Sequence, residues 1–343
     1  SVLADVVWVI RNFRPDVIIM RFPTTGEGGH GHHTASAILA LEAFDAAADP
    51  TRFPEQLVYV STWQAKRLFW NTFNFGDNNT TSPDQLTIDV GGFNPLMGMS
   101  YGEIAAISRS MHKSQGFGSA KNRGSMIEYF KPIKGESAEI TLFEGIDISW
   151  GRVAGSGEIQ KAIDELLNSY NPLSPESSVQ KLTEIYRLIN ALPETDPKTS
   201  YIKFQKLEEV RALLIGAAGV WLEASASDYI MTPGGLINTT VQCISRNTAD
   251  VKLERITFFG LSDSVTSLVM NKNVLYTFKH SEVISPNADY SNPYWLNKEH
   301  SGGLYNAGDP LLIGKPESDP ALWVGFSFEI NGLTLLINKP VVY

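Results

Sequence analysis

Three of the six histidines lie within four residues, at His30, His32 and His33, in the glycine-rich segment 26–37 (GEGGHGHHTASA). Neutral imidazole is a common ligand of zinc, and glycines let the backbone approach a bound ligand closely. A catalytic zinc ion needs about three protein ligands and a water, and the chain has no HExxH motif. This histidine segment therefore predicts part of a zinc site. The alternative, that its histidines are solvated loop residues of which one caps a helix, stays open.

The histidine segment lies between a predicted strand and a predicted helix. An apolar run predicts a strand over residues 16–22, which ends at Pro23, and a helical pattern begins near Thr34. A helical pattern also precedes the strand, and a second apolar run predicts a strand at 56–63. This alternation predicts βαβ units and a parallel sheet covered by helices. Ligands of open α/β sheets bind at the carboxyl ends of the strands, which is where the histidines lie.

The whole chain divides into three kinds of pattern. Residues 1–150 keep the α/β alternation, with a capping box at Ser100 and Glu103 that opens a further helix. Residues 151–230 carry three helical patterns separated by prolines, which predicts a helical hairpin or a small bundle. Residues 231–343 carry only β-type patterns separated by turn residues, which predicts an immunoglobulin-like β-sandwich.

Composition argues against two kinds of partner. The formal net charge of −9 argues against a nucleic-acid partner, because nonspecific binding to DNA or RNA requires a basic surface. The longest apolar stretch, residues 212–222, is too short to span a bilayer. The lone cysteine, Cys243, offers no cysteine cluster for a metal. These features leave the oligomeric state open.

Two segments of the chain resemble a known family. Residues 14–44 (RPDVIIMRFPTTGEGGHGHHTASAILALEAF) resemble the second conserved segment of the LmbE/PIG-L zinc deacetylases, in which a strand leads into a GHxDH motif and a helix. Residues 100–130 are similar to the same family, especially to members from Bacteroidetes, and residues 292–296 (NPYWL) are similar to its long multidomain members. The resemblance implies a truncated Rossmann-like deacetylase domain at 1–150. It also implies zinc-dependent N-deacetylation of an N-acetylated sugar or glycoconjugate.

The resemblance assigns roles within the histidine segment. His33 matches the family's zinc ligand, and His30 matches the histidine that stabilises the tetrahedral oxyanion. His32 stands where the family usually has aspartate, and Gly28 stands where some members have a catalytic tyrosine. In the implied mechanism zinc polarises the acetamide carbonyl and lowers the pKa of its water, and an aspartate is the general base. The residues expected to line or support the pocket are His32, Glu27, Arg109, His112 and Gln115.

These assignments leave alternatives open. Loop carboxylates and lone helical histidines are more often solvated surface residues than parts of a site. The family's first motif, an AHPDDE-type segment with two zinc ligands and the general base, has no match in residues 1–343. We expect that motif upstream of Ser1 in a longer, exported protein (periplasmic or cell-surface), so this chain alone should be inactive. The alternatives are a non-catalytic carbohydrate-binding or scaffolding protein, and a different metallohydrolase with its remaining ligands upstream.

Overall fold

The computed structural model describes all residues except 115, 117, 195 and 261. The chain forms two compact units, the first made of Ser1–Ile146 with Asp309–Gly314 and the second of Asp147–Gly308 with Lys315–Tyr343. Each unit combines helices with a β-sheet, so the protein is a mixed α and β structure.

The first unit is built around one small mixed sheet. Its helices are α1 (Val2–Phe13), α2 (Gly31–Ala46) and α3 (Tyr101–Ser110). Its strands are β1 (Val17–Met20), β2 (Arg67–Thr72), β3 (Asn74–Phe75), β4 (Asn78–Asn79), β5 (Leu86–Asp89), β6 (Phe93–Asn94), β7 (Met99–Ser100) and β8 (Ile127–Gly135). The four-stranded sheet has the order β1-β2-β8-β5, and only β1 and β2 are parallel. The predicted βαβ unit is therefore confirmed for β1, α2 and β2, while the rest of this sheet is antiparallel.

Buried apolar side chains hold α1 and α2 in position in this unit. Val7 and Ile10 of α1 belong to the same buried cluster as Ala43 of α2. Another face of α2 places Ala37 and Phe44 in a cluster with residues of the sheet. Because burial of apolar side chains is the main favourable term in folding, this packing sets the position of α2 and of the histidine segment at its start.

Arg11 of α1 is fully buried and donates hydrogen bonds to carbonyl groups at the C-terminal end of α2. Its guanidinium donates to the carbonyl oxygens of Ala46 and Ala47, at 3.2 and 3.1 Å, and to that of Asp49 at 2.9 Å. The last carbonyls of a helix have no partner within the helix, and a cation there also suits the helix dipole. One side chain thus connects α1 to the end of α2.

The predicted strand at 56–63 is wrong. Its first residues belong to a 3-10 turn, Pro54–Val58, and the strand that follows α2 is β2. The side-chain oxygen of Gln56 accepts a hydrogen bond from Arg11 (3.1 Å), whereas Val58 is 79% exposed. Proline fixes φ and cannot donate to a strand ladder, so this apolar run forms a turn that contacts α1.

The second unit contains three helices followed by a β-rich region. Its helices are α4 (Gly157–Ser169), α5 (Val179–Asn190) and α6 (Pro197–Ala217). Its strands are β9 (Val220–Ala226), β10 (Leu236–Ser245), β11 (Val251–Phe258), β12 (Ser262–Val269), β13 (Tyr276–Val283), β14 (Trp323–Ile330) and β15 (Leu333–Val342). The three predicted helices are confirmed. In the described part of 236–343, helical structure is limited to two 3-10 turns of three residues each.

The seven strands form one continuous sheet in the order β12-β11-β14-β15-β9-β10-β13. The predicted immunoglobulin-like sandwich would have two separate sheets, and the continuous ladder corrects that prediction. The reason lies in β15, which pairs antiparallel with β14 and then, at Val341 and Val342, pairs parallel with β9. The sheet also curls, since Ser262 of one edge strand hydrogen-bonds to Glu282 of the other.

Helices α4 to α6 and the curled sheet share a hydrophobic core. Ile185 and Leu214 of the helices belong to the same buried cluster as Leu253, Phe326 and Phe328 of the sheet. The helical and β-rich regions therefore pack together within one compact unit.

Candidate functional site

The histidine segment joins the carboxyl end of β1 to the start of α2. The helix begins at Gly31, three residues before the predicted start at Thr34, and His30 occupies its N-cap position. The backbone N–H groups of His33 and Thr34 donate to the His30 carbonyl at 3.0 and 3.2 Å. Because residues three apart are neighbours on a helix surface, His30 and His33 share one side of the first turn, and His32 lies elsewhere on it.

His33 is half-buried, and two contacts orient its ring. It stacks on Phe22 with ring centroids 3.7 Å apart and an interplanar angle of 2°. Its Nδ1 lies 2.8 Å from the Gly28 carbonyl oxygen. Since a carbonyl oxygen only accepts, this hydrogen bond requires the proton on Nδ1. In the neutral imidazole the lone pair is then on Nε2, the atom that could bind a metal.

Gly28 is required by the close packing around His33. A Cβ atom added at Gly28 would lie 2.9 Å from Cδ1 of Phe22 and 3.1 Å from Cβ of His33. Both distances are shorter than ordinary van der Waals contacts, so a side chain at this position would displace one of the two rings. The tyrosine that some LmbE/PIG-L deacetylases carry at the position matched to Gly28 would not fit this arrangement.

His30 lies beside His33 and is exposed. The two ring centroids are 5.1 Å apart, with an interplanar angle of 87°. The His30 side chain makes no hydrogen bond to any described residue, and it does not cap α2. The structure therefore brings these two rings together at the N-terminus of a helix, where the helix dipole favours negative charge.

Glu27 and His32, assigned to the pocket by resemblance, are both exposed. A carboxylate oxygen of Glu27 accepts a hydrogen bond from the Thr25 hydroxyl at 2.5 Å, and this bond holds the Glu27 pKa below its ordinary value. Glu27 is therefore ionised at neutral pH and is bonded within its own turn. The His32 side chain makes no hydrogen bond or ring contact with the described residues.

The other predicted pocket residues lie at or beyond the C-terminal end of α3. The predicted capping box that opens this helix is confirmed, because Glu103 N–H donates to the Ser100 hydroxyl and Ser100 N–H donates to the Glu103 carboxylate. Arg109 lies exposed in the last turn of α3. His112 is exposed, and its side chain makes no hydrogen bond or ring contact with the described residues. Gln115 lies outside the described residues.

A complete zinc site needs more donors than the described residues bring together. Within that part of the chain, no group of three His, Cys, Asp or Glu side chains is arranged to hold a metal ion. His33 has the tautomer and the fixed ring of a single ligand, whereas a catalytic zinc takes about three protein ligands. The donor set present thus fits one ligand position and does not fit a full coordination shell.

A second polar cluster, which the sequence patterns do not indicate, joins the two edges of the curled sheet. His280 Nε2 lies 2.7 Å from a Glu282 carboxylate oxygen and 3.2 Å from the Ser262 hydroxyl. Activation of a serine nucleophile requires the carboxylate and the hydroxyl on different nitrogens of the imidazole. Here both lie on the same nitrogen, so the cluster is suited to closing the sheet and not to catalysis. Alternation along β13 puts His280 and Glu282 on one face, but the contact with Ser262 depends on the curl of the sheet.

Comparisons with known proteins give only slight structural likeness. The chain matches no protein-family model and no curated protein. Among solved structures it is similar to the alkylpurine DNA glycosylase AlkC of Pseudomonas fluorescens, bound to DNA containing an abasic site analog, with 12% sequence identity and a TM-score of 0.18. The match covers 53% of this chain and 50% of that one, so the chain spans about half the length of that structure. A likeness of this size supports no statement about function. Among the described residues, no helix is both long enough and apolar enough to cross a bilayer.

Proposed function

We propose that the histidine segment is one part of a zinc-dependent N-deacetylase site for N-acetylated sugars or glycoconjugates. In this proposal His33 is a metal ligand through Nε2, and His30 donates a hydrogen bond to the oxyanion of the transition state. The observation that carries it is the hydrogen bond from His33 Nδ1 to the Gly28 carbonyl. The class of substrate comes from the resemblance of residues 14–44 and 100–130 to the LmbE/PIG-L deacetylases.

The geometry around His33 is typical of a metal-binding histidine. Such histidines usually donate the N–H of their second nitrogen to a carbonyl or carboxylate, which fixes the tautomer and the ring orientation. The Gly28 carbonyl does this for His33, and the Phe22 ring restricts rotation of the imidazole. The ligand atom is thus held in place before any metal arrives, which reduces the conformational entropy lost on binding.

The position of His30 suits a donor to a developing negative charge. Its ring is adjacent to that of His33, so a carbonyl bound near Nε2 of His33 would lie close to His30. The N-terminus of α2 adds a partial positive charge at the same place. Donors that are fixed in advance and directed at an oxyanion typically lower a reaction barrier by about 3–4 kcal/mol.

The proposal requires the remaining zinc ligands and the general base to come from residues outside 1–343. When bound, zinc would supply polarisation of the amide carbonyl and a water of lowered pKa. We therefore expect residues 1–343 alone to bind zinc weakly and to release no acetate.

Calorimetric zinc titration of residues 1–343, beside the full-length gene product, tests this proposal. Acetate release from an N-acetylhexosamine is assayed in parallel, and His300→Ala, which removes an exposed histidine of the second unit, is the control variant. The proposal predicts tight zinc binding and turnover in the full-length protein only, with both unchanged in His300→Ala. A folded full-length protein without zinc or turnover would overturn it. Tight stoichiometric zinc in residues 1–343 would equally overturn the assignment of ligands outside this range.

A further inference from the structure

The second unit contains an open cleft of about 540 Å³ that the histidine segment does not contribute to. Most of its lining comes from three parts of the chain: residues 226–233 at the end of β9 and beyond it, residues 284–291 after β13, and residues 341–343 at the end of β15. Ile237 of β10 and residues 321–322 complete the lining. Ligand clefts of small molecules typically have volumes of about 300–1,000 Å³. The cleft is therefore large enough for one or two sugar rings.

Backbone hydrogen bonds hold the walls of the cleft in place. Gly234 N–H donates to the Ile284 carbonyl at 3.0 Å, and Ile284 N–H donates to the Gly235 carbonyl at 2.9 Å. This reciprocal pair connects the segment after β9 to the segment after β13. The third wall is fixed because Val341 pairs with Ala224 of β9. The cleft is thus a preformed feature of the curled sheet.

Three tyrosines present exposed rings to the cleft. Tyr229, Tyr290 and Tyr343 are 73%, 79% and 79% exposed, and the rings of Tyr229 and Tyr343 lie 5.6 Å apart. Aromatic rings rarely gather on a surface without a binding role, because large exposed apolar patches usually mark interaction sites. A flat ring with a hydroxyl at its edge suits a pyranose, which has an apolar C–H face and a polar rim.

The charges in the cleft are negative and unpaired. Asp228 and Asp289 line it, no lysine or arginine does, and neither carboxylate forms an ion pair with a described residue. Carboxylates accept hydrogen bonds from hydroxyl groups and, more strongly, from ammonium groups. Tyrosine faces also attract cations. An acidic sugar would be repelled, whereas a sugar with a free amine would gain both interactions.

We propose that this cleft is a carbohydrate-binding site that selects pyranose oligosaccharides carrying free amino groups. Tyrosine rings stack on the sugar faces, and Asp228 and Asp289 bind the ammonium and hydroxyl groups. This site is independent of the proposed function, since it contains no residue of the histidine segment. An amino sugar is nevertheless the product class that N-deacetylation would release.

The test is calorimetric titration of residues 1–343 with a glucosamine trimer, an N-acetylglucosamine trimer and a galacturonic acid trimer. The titration is carried out at mildly acidic pH, where the amines of the glucosamine trimer are protonated. The glucosamine trimer should bind best, the acetylated trimer about tenfold more weakly, and the acidic trimer not at all. Absence of binding by all three, equal binding of the first two, or preference for the acidic trimer would each overturn the proposal.

Variants locate the binding and separate it from the histidine segment. Tyr229→Ala and Tyr290→Ala should each weaken glucosamine binding about fivefold, because a stacked ring contributes about 1 kcal/mol. Asp289→Asn should weaken it while leaving binding of the acetylated trimer nearly unchanged. Tyr170→Ala, which removes an exposed tyrosine outside the cleft, should change neither, and His33→Ala should leave binding of the glucosamine trimer unchanged. Loss of binding in His33→Ala with full binding in the tyrosine variants would place the sugar at the histidine segment and overturn this assignment.

Discussion

Two histidines of this protein, one in each unit, are packed alike and bonded differently. The His33 ring stacks on Phe22 with centroids 3.7 Å apart, and the His280 ring stacks on Phe258 at 3.9 Å. His33 bonds to a backbone carbonyl through Nδ1, which leaves Nε2 open, whereas Nε2 of His280 is occupied by Glu282. Packing on a phenylalanine therefore does not identify a ligand-binding histidine. The two histidines differ in Nε2, which is open in His33 and bonded to Glu282 in His280.

The two regions also differ in the range of their contacts. His33 bonds to Gly28, five residues earlier in the chain. His280 contacts Ser262 across the two edges of a seven-stranded sheet, so its bonds hold together strands that are not neighbours in the ladder. We therefore expect substitutions at His33 to change ligand binding with little change in the free energy of unfolding. Substitutions around His280 should lower the free energy of unfolding with little change in ligand binding.

The largest effect should follow from His33→Ala in the full-length protein. Removing even a hydrogen-bond partner of a metal ligand costs about 10–100-fold in metal affinity or activity, so loss of the ligand itself should cost about 1,000-fold or more in kcat/KM. Zinc calorimetry and acetate release measure this, and His280→Ala is the matched control because its ring is also stacked on a phenylalanine. Equal losses in both variants would remove the distinction between the two histidines.

His30→Ala should have the next largest effect, and on rate alone. An oxyanion donor acts in the transition state, so kcat should fall about 100-fold while zinc affinity stays unchanged. Measurement of kcat and KM beside zinc titration separates this result from metal loss. A variant that loses zinc as well would show that His30 is a ligand and not a donor.

Gly28→Ala should disturb the site by crowding it. The added methyl group would lie 2.9 Å from Phe22 and 3.1 Å from His33, and overpacking of this kind costs about 1–3 kcal/mol. Gly31→Ala is the matched control, because nothing lies within 4 Å of its added methyl group. Urea unfolding and zinc titration should show losses for Gly28→Ala only. Unchanged zinc affinity in that variant would mean that the ring of His33 does not depend on this contact.

Sequence patterns predicted the parts of the fold that depend on local periodicity. The helices α1 and α4 to α6, strand β1 and the capping box at Ser100 follow from spacing within a few residues. The run at 56–63 could not be assigned in this way, because Pro54 and the bond between Gln56 and Arg11 override its apolar character. The continuous sheet also could not be predicted, since it depends on β15 pairing both with the adjacent strand β14 and, at its end, with β9, which lies far away in the chain.

The candidate site could be predicted only in part. The composition and the strand-to-helix position of the histidine segment pointed to all three of its histidines, and only the resemblance singled out His30 and His33. The adjacency of these two rings in the structure follows from a helix that starts at Gly31. The tautomer of His33 could not be predicted, because it depends on the course of the backbone at Gly28. The tyrosines of the cleft were missed because three separate segments contribute them.

Glu282→Gln should weaken the closure of the curled sheet without affecting acetate release. The substitution keeps the shape of the side chain but removes the charge that faces His280 Nε2 and the Ser262 hydroxyl. A hydrogen bond of this kind contributes about 1 kcal/mol to the free energy of unfolding. Urea unfolding measures the loss, and Glu317→Gln, at an exposed carboxylate, should be neutral. Unchanged stability in Glu282→Gln would mean that the edge contact does not hold the sheet.

The smallest expected effect is on the rate at which Cys243 is alkylated. This cysteine of β10 is fully buried, and burial raises its pKa to about 12. The raised pKa means that the buried thiol stabilises the fold below its ordinary pKa of 9.0, and that this contribution is lost as the pH rises towards 12. Because the thiolate is the nucleophile that reacts with alkylating reagents, Cys243 should react with iodoacetamide at mildly alkaline pH only when the sheet opens.

If Glu282→Gln costs about 1 kcal/mol, the open population, and with it the rate of Cys243 labelling, should rise about fivefold. His33→Ala should leave the rate unchanged, because that side chain belongs to the other compact unit and makes none of the edge contacts. Mass spectrometry of timed samples measures both rates against the unmodified protein. Equal acceleration in the two variants would show that the histidine segment and the curled sheet are energetically coupled. In that case the separation of binding at His33 from stability at His280 would not hold.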